Sequence, residues 1–301
     1  MIPGLYSHAP EPVAGETPRL HQSLAAVMVN KSPLHAWYKA FREKQEEGEE
    51  EYNERMTLGT ICHSLILGGK DIECIEADSW RTLSAKVARA EAIKAGKLPI
   101  LKASLENAQQ TVNALMVRMK ADGLAFDDGL FEQTALWVAP NGVECEGRLD
   151  WVKLGKLEAT IIDFKFTTVE ADKKKCERRF IELGYDIQET AYRQAIERIY
   201  PKYAGRVKTL YVFCEVKRPN AVRIMPVGGT MRASGAMRWG QACEAWQRCL
   251  EKYGTENPWP SFKDNWAQAE LPTYLLNEQR MELSEFNPGD SEEEEAEVAA
   301  Q

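Results

Sequence analysis

The sequence predicts an α/β (α+β) fold in which helices flank a mixed central β-sheet. Three apolar runs are separated by the turn signals Asn141-Gly142 and Gly155, and this pattern predicts a β-meander. A further pair of apolar runs on either side of Pro219-Asn220 predicts a hairpin. Segments with helical periodicity precede and separate these runs, which indicates packed layers of helix and sheet.

The predicted strands cover residues 127–138, 143–152, 159–167, 208–217 and 221–227. The predicted helices cover residues 20–45, 56–68, 79–122 (two helices, broken near Gly96–Pro99), 170–183, 186–200 and 231–253.

The charge distribution predicts one folded domain followed by a tail. Residues 285–301 contain seven acidic residues and no basic one, whereas residues 1–284 carry 39 acidic and 38 basic residues. A segment with so little to bury is expected to be disordered. We therefore predict an extension over 1–19, a single domain over 20–284 (helical part 20–125, core 126–284) and an acidic tail over 285–301.

The composition argues against membrane and secreted classes. The longest apolar runs fall far short of the ~20 residues that span a bilayer, and the N-terminus has no signal-peptide pattern. Seven cysteines at scattered spacings indicate reduced thiols instead of a disulfide framework. We expect a cytoplasmic protein without a membrane partner.

Acidic and basic residues stand inside two of the predicted strands. Asp150 ends one apolar run, and Asp163-x-Lys165 lies within the next. Neighbouring strands would bring the two carboxylates together, where their hard oxygen atoms could bind Mg²⁺. Lys165 would share the face of Asp163 because strand side chains alternate. The alternative interpretation is a half-exposed strand whose charged residues simply face solvent.

Several segments resemble a known family. Gly-x-x-Asp150, Asp163-x-Lys165 and Gln188-x-x-x-Tyr192 resemble the RecB-like branch of the PD-(D/E)xK nuclease superfamily. Five further segments are similar to the RecE-type (exonuclease VIII) enzymes of phages and prophages: 24–37, 56–67, 96–101, 215–219 and 259–260. The resemblance therefore covers about residues 20–262. The resemblance implies a restriction-endonuclease-like core and a nuclease domain over 20–284.

The resemblance also implies roles for individual residues. Lys165 would be the catalytic lysine, and Gln188 and Tyr192 would be catalytic residues at the active-site edge that contact the DNA or the scissile phosphate. The implied metal ligands are Asp150, Asp163, His63, the backbone carbonyl of Phe164 and, with weaker support, Glu132. Leu149 departs from the family by replacing a proline that contributes no ligand.

Basic residues near the motif are candidates for phosphate contacts. Lys31, Ser32 and Arg148 are candidates for gripping a 5′ phosphate. Lys173, Lys174 and Lys175 follow the catalytic strands and could contact the DNA backbone, because local positive charge attracts phosphates even on an acidic chain. The alternative for the three lysines is an ordinary solvated helix face.

The resemblance implies an activity, a cofactor and partners. The activity is 5′-to-3′ exonuclease digestion of linear double-stranded DNA, which leaves 3′ overhangs for recombination by strand annealing. Mg²⁺ is the expected cofactor, with Mn²⁺ as an alternative ion. We expect no iron–sulfur cluster, since the sequence has no Cys-x-x-Cys pair. The implied partners are double-stranded DNA ends, further copies in a ring (trimer or tetramer) and a single-strand annealing protein, in a bacterial host of a phage or prophage.

Three other functions remain open at this stage. One is an endonuclease or a single-strand-specific nuclease on the same fold. The second is a catalytically silent DNA-binding or interaction subunit, against which the joint presence of Asp150, Asp163 and Lys165 argues. The third is a purely structural protein whose acidic tail recruits a partner.

Overall fold

The computed structural model describes residues 1–8, 10, 18–43, 54–124, 128–262, 268–271, 273, 275–277 and 279–280. The chain separates into two compact units, Met1–Ser261 and Phe262–Gln301. The whole predicted acidic tail, residues 285–301, and the predicted boundary at residue 284 lie outside the described residues. All described elements considered below belong to the first unit.

The strands are β1 (Gly4–Tyr6), β2 (Leu20–His21), β3 (Ile72–Ile75), β4 (Leu98–Leu101), β5 (Leu130–Val138), β6 (Glu144–Leu154), β7 (Ala159–Thr167), β8 (Val207–Glu215) and β9 (Val222–Pro226). The helices are α1 (Gln22–Asn30), α2 (Pro33–Phe41), α3 (Glu54–Leu67), α4 (Leu83–Lys94), α5 (Lys102–Ala121), α6 (Lys173–Glu182), α7 (Tyr185–Ile199) and α8 (Gly229–Tyr253), with a 3-10 turn at Pro201–Tyr203. Among the described residues, no helix is both long enough and apolar enough to cross a membrane.

A seven-stranded mixed sheet forms the centre of the unit, in the order β1-β5-β6-β7-β8-β9 with β2 added beside β6. Strands β5, β6 and β7 are consecutive antiparallel neighbours, as the turn signals predicted. Strand β8 runs parallel to β7 after the chain has passed through α6 and α7, and β9 returns antiparallel to β8. The predicted mixed sheet flanked by helices is therefore confirmed.

Strands β6 and β7 separate partway along their length. Their pairing runs from Leu154↔Ala159 to Trp151↔Ile162 and goes no further. Beyond this point the same edge of β6 is occupied by β2, which pairs at Leu20↔Cys145 and His21↔Glu146. The two strands consequently form a fork that opens just after Trp151↔Ile162, and the next residues on its two arms are Asp150 and Asp163.

The two faces of the sheet are covered by different helices. Ile161 packs in a core with residues of α1, α2, α7 and α8, whereas Ile162 and Phe164 pack in a core with Leu115 and Met119 of α5. Because successive side chains of a strand point to opposite faces, these helix groups lie on opposite sides of β7. The fork is therefore open to side chains that approach from both faces.

Two predictions of secondary structure are corrected. The single helix predicted over 20–45 is a short strand followed by two helices, because Ser32 caps α2 and Pro33 occupies its first turn. The break predicted near Gly96–Pro99 contains strand β4, which pairs in parallel with β3 in a separate sheet. All four β4 residues are buried, so the run has no polar alternation that could have identified it.

Candidate active site

Asp150 spans the fork between the two strands. Its Oδ2 accepts a hydrogen bond of 2.8 Å from the main-chain N–H of Phe164 on β7. The N–H and C=O of one strand residue point to the same edge, so the carbonyl of Phe164 also faces the fork. The Asp150 carboxylate thus bonds to the main chain of β7 just beyond the last strand pair, Trp151↔Ile162. It also lies beside the carbonyl of Phe164, which was predicted to be a metal ligand.

His63 reaches the same carboxylate from α3. Its Nδ1 lies 3.8 Å from Asp150 Oδ2, and its ring contacts Phe166 edge-on at 5.1 Å between centroids. One ligand atom from each of His63, Glu132 and Asp150 can be chosen so that all three lie within 4.8 Å of one another. This spacing brings together three of the predicted metal ligands.

Glu132 takes an unusual backbone conformation in order to face this cluster. Its register position on β5 is opposite Asp150, but the two residues do not pair, and its φ is +49°. A left-handed conformation at a non-glycine residue costs about 1–3 kcal/mol and persists only where the surroundings enforce it. Its carboxylate forms an ion pair with Arg148, a predicted phosphate contact whose side chain is exposed.

Asp163 and Lys165 form the second part of the site. Lys165 Nζ lies 2.5 Å from Asp163 Oδ1, so both side chains lie on one face of β7. Asp163 is 1% exposed, and its Oδ1 is the oxygen that faces the Lys165 ammonium. A buried carboxylate is costly without a cation beside it, and Lys165 supplies one such charge.

The pKa shifts of the residues at the fork also fit a bound divalent cation. Burial, together with the nearby charge of Asp163, raises the pKa of the Asp150 carboxyl well above its usual value. Burial lowers the pKa of His63, which favours the neutral imidazole that binds metals. For Lys165, burial opposes the charged ammonium, but the negative charge of Asp163 and further acidic neighbours outweighs it and raises the pKa. Hard carboxylate oxygens and a neutral imidazole fit a divalent cation.

Gln188 and Tyr192 are buried on α7, 5% and 3% exposed. Gln188 Nε2 donates to the hydroxyl of Tyr192 at 3.1 Å, and that hydroxyl donates to the carbonyl of Arg148 at 2.6 Å. A Cβ added to Gly147 would lie 2.7 Å from Tyr192 Cε1, so the motif glycine allows the ring to approach β6. The described contacts of these two side chains thus hold β6 in place beside Asp150.

Two site residues were missed by the sequence analysis. The ammonium of Lys165 lies 4.4 Å from the ring centroid of Tyr185 and 5.6 Å from that of Tyr211. Tyr185 stands one helical turn before Gln188, and this spacing could have identified it. Tyr211 lies beside Asp163 only through the parallel pairing of β7 and β8, which no local pattern reveals.

A buried ion pair fixes the start of α7. Arg238 of α8 donates to both carboxylate oxygens of Asp186 at 2.6 Å, and Asp186 is fully buried. The same guanidinium contacts Asn30 at the end of α1. The pair therefore joins three helices next to the turn that carries Tyr185.

The remaining candidates have no described contact with the site. Ser32 bonds to His35 at the start of α2, while Lys31 is exposed. Lys173, Lys174 and Lys175 occupy the first turn of α6 and are exposed. Lys175 pairs with Glu170 at 2.6 Å. Phosphate binding by these residues stays a prediction.

Comparisons with known proteins agree with the fold of the chain. The family described as a PDDEXK-like domain of unknown function (DUF3799) matches residues 29–259. A candidate exonuclease from Eubacterium rectale has a similar fold, with a TM-score of 0.53 and 14% identity over 86% of this chain and 92% of that one. A phage-related exonuclease from Haemophilus somnus aligns over 64% of this chain and 94% of its own at 14% identity, and its TM-score of 0.31 is too low to support an argument. No curated protein matches the sequence.

Proposed function

The chain belongs to the PDDEXK-like family DUF3799, and from that membership we propose that it is a divalent-metal-dependent exodeoxyribonuclease. We further propose that it digests linear double-stranded DNA from the 5′ end and leaves 3′ single-stranded overhangs. The PD-(D/E)xK fold is that of nucleases, and the Eubacterium rectale protein of similar fold is a candidate exonuclease. Polarity and substrate rest on the resemblance to RecE-type enzymes.

One observation carries the proposal. The fork brings the carboxylates of Asp150 and Asp163, the imidazole of His63 and the ammonium of Lys165 to one place, although they come from three different elements. A purely structural role would favour replacing such buried charges with apolar residues, since an unneutralised carboxylate is costly inside a protein. This arrangement is retained at a cost in stability, which indicates chemistry.

The residues of the fork would have two roles, metal binding and the activation of water. Asp150, Asp163, His63 and the carbonyl of Phe164 would hold Mg²⁺ or Mn²⁺, with Glu132 as a further ligand. When bound, such an ion lowers the pKa of water and stabilises negative charge on a phosphodiester. The ammonium of Lys165 would orient the attacking water and offset charge on the phosphate in the transition state.

The surrounding residues support these groups. Tyr192 and Gln188 hold the main chain of β6, and so they keep Asp150 aligned with β7. Arg148 is exposed beside Glu132, where its guanidinium could leave the ion pair and bind a phosphate oxygen. Lys31, Ser32 and the lysines at the start of α6 are proposed as further phosphate contacts.

We propose two kinds of macromolecular partner besides DNA ends. A ring of three or four copies would let the product strand thread its centre, which would make digestion processive. A single-strand annealing protein would then take up the 3′ overhang for recombination. Both proposals are supported by the resemblance to phage and prophage enzymes.

End-labelled DNA tests the proposed activity. Linear duplexes labelled at the 5′ or the 3′ end, together with a covalently closed circle, are incubated with Mg²⁺, with Mn²⁺ and with a chelator. We expect metal-dependent release of 5′ label, an intact circle, and no activity in Asp163→Asn. Lys165→Met should lower kcat by about 10²–10⁴-fold while the protein still folds.

Other outcomes separate the alternatives. A cut circle would identify an endonuclease, and selective loss of single strands would identify a single-strand-specific enzyme. Retained DNA binding without cleavage under either metal would refute the enzymatic proposal and favour a silent binding subunit.

A further inference from the structure

Two tyrosine rings lie against the ammonium of Lys165. The distances from Nζ to the ring centroids are 4.4 Å for Tyr185 and 5.6 Å for Tyr211. Both are within the ~6 Å over which a cation is attracted to the negative face of an aromatic ring. The lysine side chain is only 18% exposed, so water screens this attraction weakly.

The two rings are themselves held rigidly. They stack on each other at 5.7 Å with an interplanar angle of 22°, and Phe180 packs edge-on against Tyr211 at 4.8 Å. The hydroxyl of Tyr211 lies 2.9 Å from the carbonyl of Tyr185 and 3.2 Å from Gln188 Oε1, and it can donate to either. The rings thus form a preorganised surface attached to both β8 and α7.

The lysine needs such a surface because its own structure does not fix its position. A lysine ammonium is a point charge on four flexible methylene groups, and Asp163 at 2.5 Å is its nearest acidic partner. If that carboxylate also binds a metal, part of its charge is no longer available to the lysine. The aromatic faces are not metal ligands, so their attraction for the ammonium would not be reduced by a metal bound to Asp163.

We propose that Tyr185, supported by Tyr211, is a positioning residue that holds the Lys165 ammonium at the fork through a cation–π contact. The catalytic consequence of this contact rests on the proposed nuclease function, whereas the contact itself does not. Tyr185 is partly buried at the first residue of α7, where its ring packs at the edge of the cluster that contains Phe180 and Tyr211.

The contact is tested first without reference to activity. Tyr185→Leu, Lys165→Met and the double variant are unfolded in urea as full chains without metal. A cation–π contact predicts that the two single losses are coupled by about 3- to 10-fold in the unfolding equilibrium constant. Tyr185→Phe keeps the ring and should preserve the coupling with Lys165→Met. Strictly additive losses would overturn the proposal.

The catalytic consequence is tested by lowering the electron density of the ring at position 185 in steps. Phenylalanine and its mono-, di- and trifluoro derivatives are incorporated at position 185. We expect kcat to fall with each added fluorine while KM for duplex DNA stays constant, and Tyr185→Leu should have a kcat about tenfold below that of Tyr185→Phe. Tyr200→Leu, the same substitution just beyond the other end of α7, serves as the control that leaves kcat unchanged.

The outcomes distinguish this inference from the proposed function. A flat fluorine series in an active enzyme refutes positioning by the ring, even if the variants fold normally. If the wild-type protein is inactive with both metals, the nuclease function is refuted. If the urea experiment still shows coupling between Tyr185→Leu and Lys165→Met, the contact is supported all the same.

Discussion

The close approach of Tyr192 to Gly147 should make this glycine intolerant of even one added methyl group. A Cβ built at Gly147 lies 2.7 Å from Tyr192 Cε1 and 3.1 Å from Cδ1. The ring cannot retreat freely, because its hydroxyl is bonded to the carbonyl of Arg148 at 2.6 Å and to Gln188. Gly147→Ala must therefore move either the ring or strand β6.

The expected loss follows from two opposing effects. Overpacking a well-packed core costs about 1–3 kcal/mol. Replacing glycine by alanine in a regular strand recovers roughly 0.5–1 kcal/mol of backbone entropy. The net loss is about 1 kcal/mol of unfolding free energy at the middle of both ranges and at most about 2.5 kcal/mol, which corresponds to roughly 2–4 °C in Tm for a chain of this size. Activity should fall as well, because the displaced strand carries Asp150.

The assay is urea unfolding of Gly147→Ala in two backgrounds, wild type and Tyr192→Val. Removing the ring removes the clash, so that the alanine should cost nothing in the second background. Gly240→Ala is the control, since a Cβ there meets nothing within 4 Å in the middle of α8. Helix propensity predicts that this control stabilises the protein by about 1 kcal/mol. Equal losses for Gly147→Ala in both backgrounds would refute the reasoning.

Three further predictions concern the buried charges and the tyrosine hydroxyl. Asp150→Asn should raise the Tm of the metal-free protein at neutral pH, because burial and a neighbouring carboxylate raise the Asp150 pKa. The protonated form contributes stability that is fully present below the ordinary carboxyl pKa and is lost as the pH rises through the raised pKa, so the Tm advantage of the variant should grow over that range; a Tm difference that stays constant with pH would contradict this. Arg238→Met should cost about 3–5 kcal/mol by leaving Asp186 buried and unpaired. Much of that loss should return in Arg238→Met with Asp186→Leu, and a double variant as unstable as the single one would contradict the pairing. Tyr192→Phe should cost about 1–3 kcal/mol in urea unfolding, because a buried carbonyl of β6 and the Gln188 amide lose their partner. A loss as small as that of Tyr200→Phe would show that water replaces the hydroxyl.

The central part of the fold could be predicted because its signals are local. The turn residues between β5, β6 and β7 lie within a few positions of the strands that they join. The two-residue alternation within β7 likewise places Asp163 and Lys165 on one face before any tertiary information is available. The short strands β3 and β4 were missed because four residues are too few to show a clear alternation, and in β4 all four residues are buried.

The candidate site could be predicted only in part, because its groups come from distant elements. His63 and Glu132 were proposed through a resemblance, and the structure brings each near Asp150 from a different side. The contact between Tyr211 and Lys165 depends on the register of β7 and β8, two parallel strands that two helices separate along the chain. Pairing of that kind is decided by packing between elements, which no window of sequence contains.

By itself, therefore, the sequence determined the order of helices and strands from β5 onward, the hairpin turns, and the shared strand face of Asp163 and Lys165. Each of these depends on residues within a few positions of one another. Only the tertiary structure decided where β6 and β7 separate, which helices approach the fork from each face, and which rings contact Lys165. Strands β6 and β7 separate where β2 pairs with the same edge of β6. The other features depend on side-chain packing between residues that are far apart in the sequence.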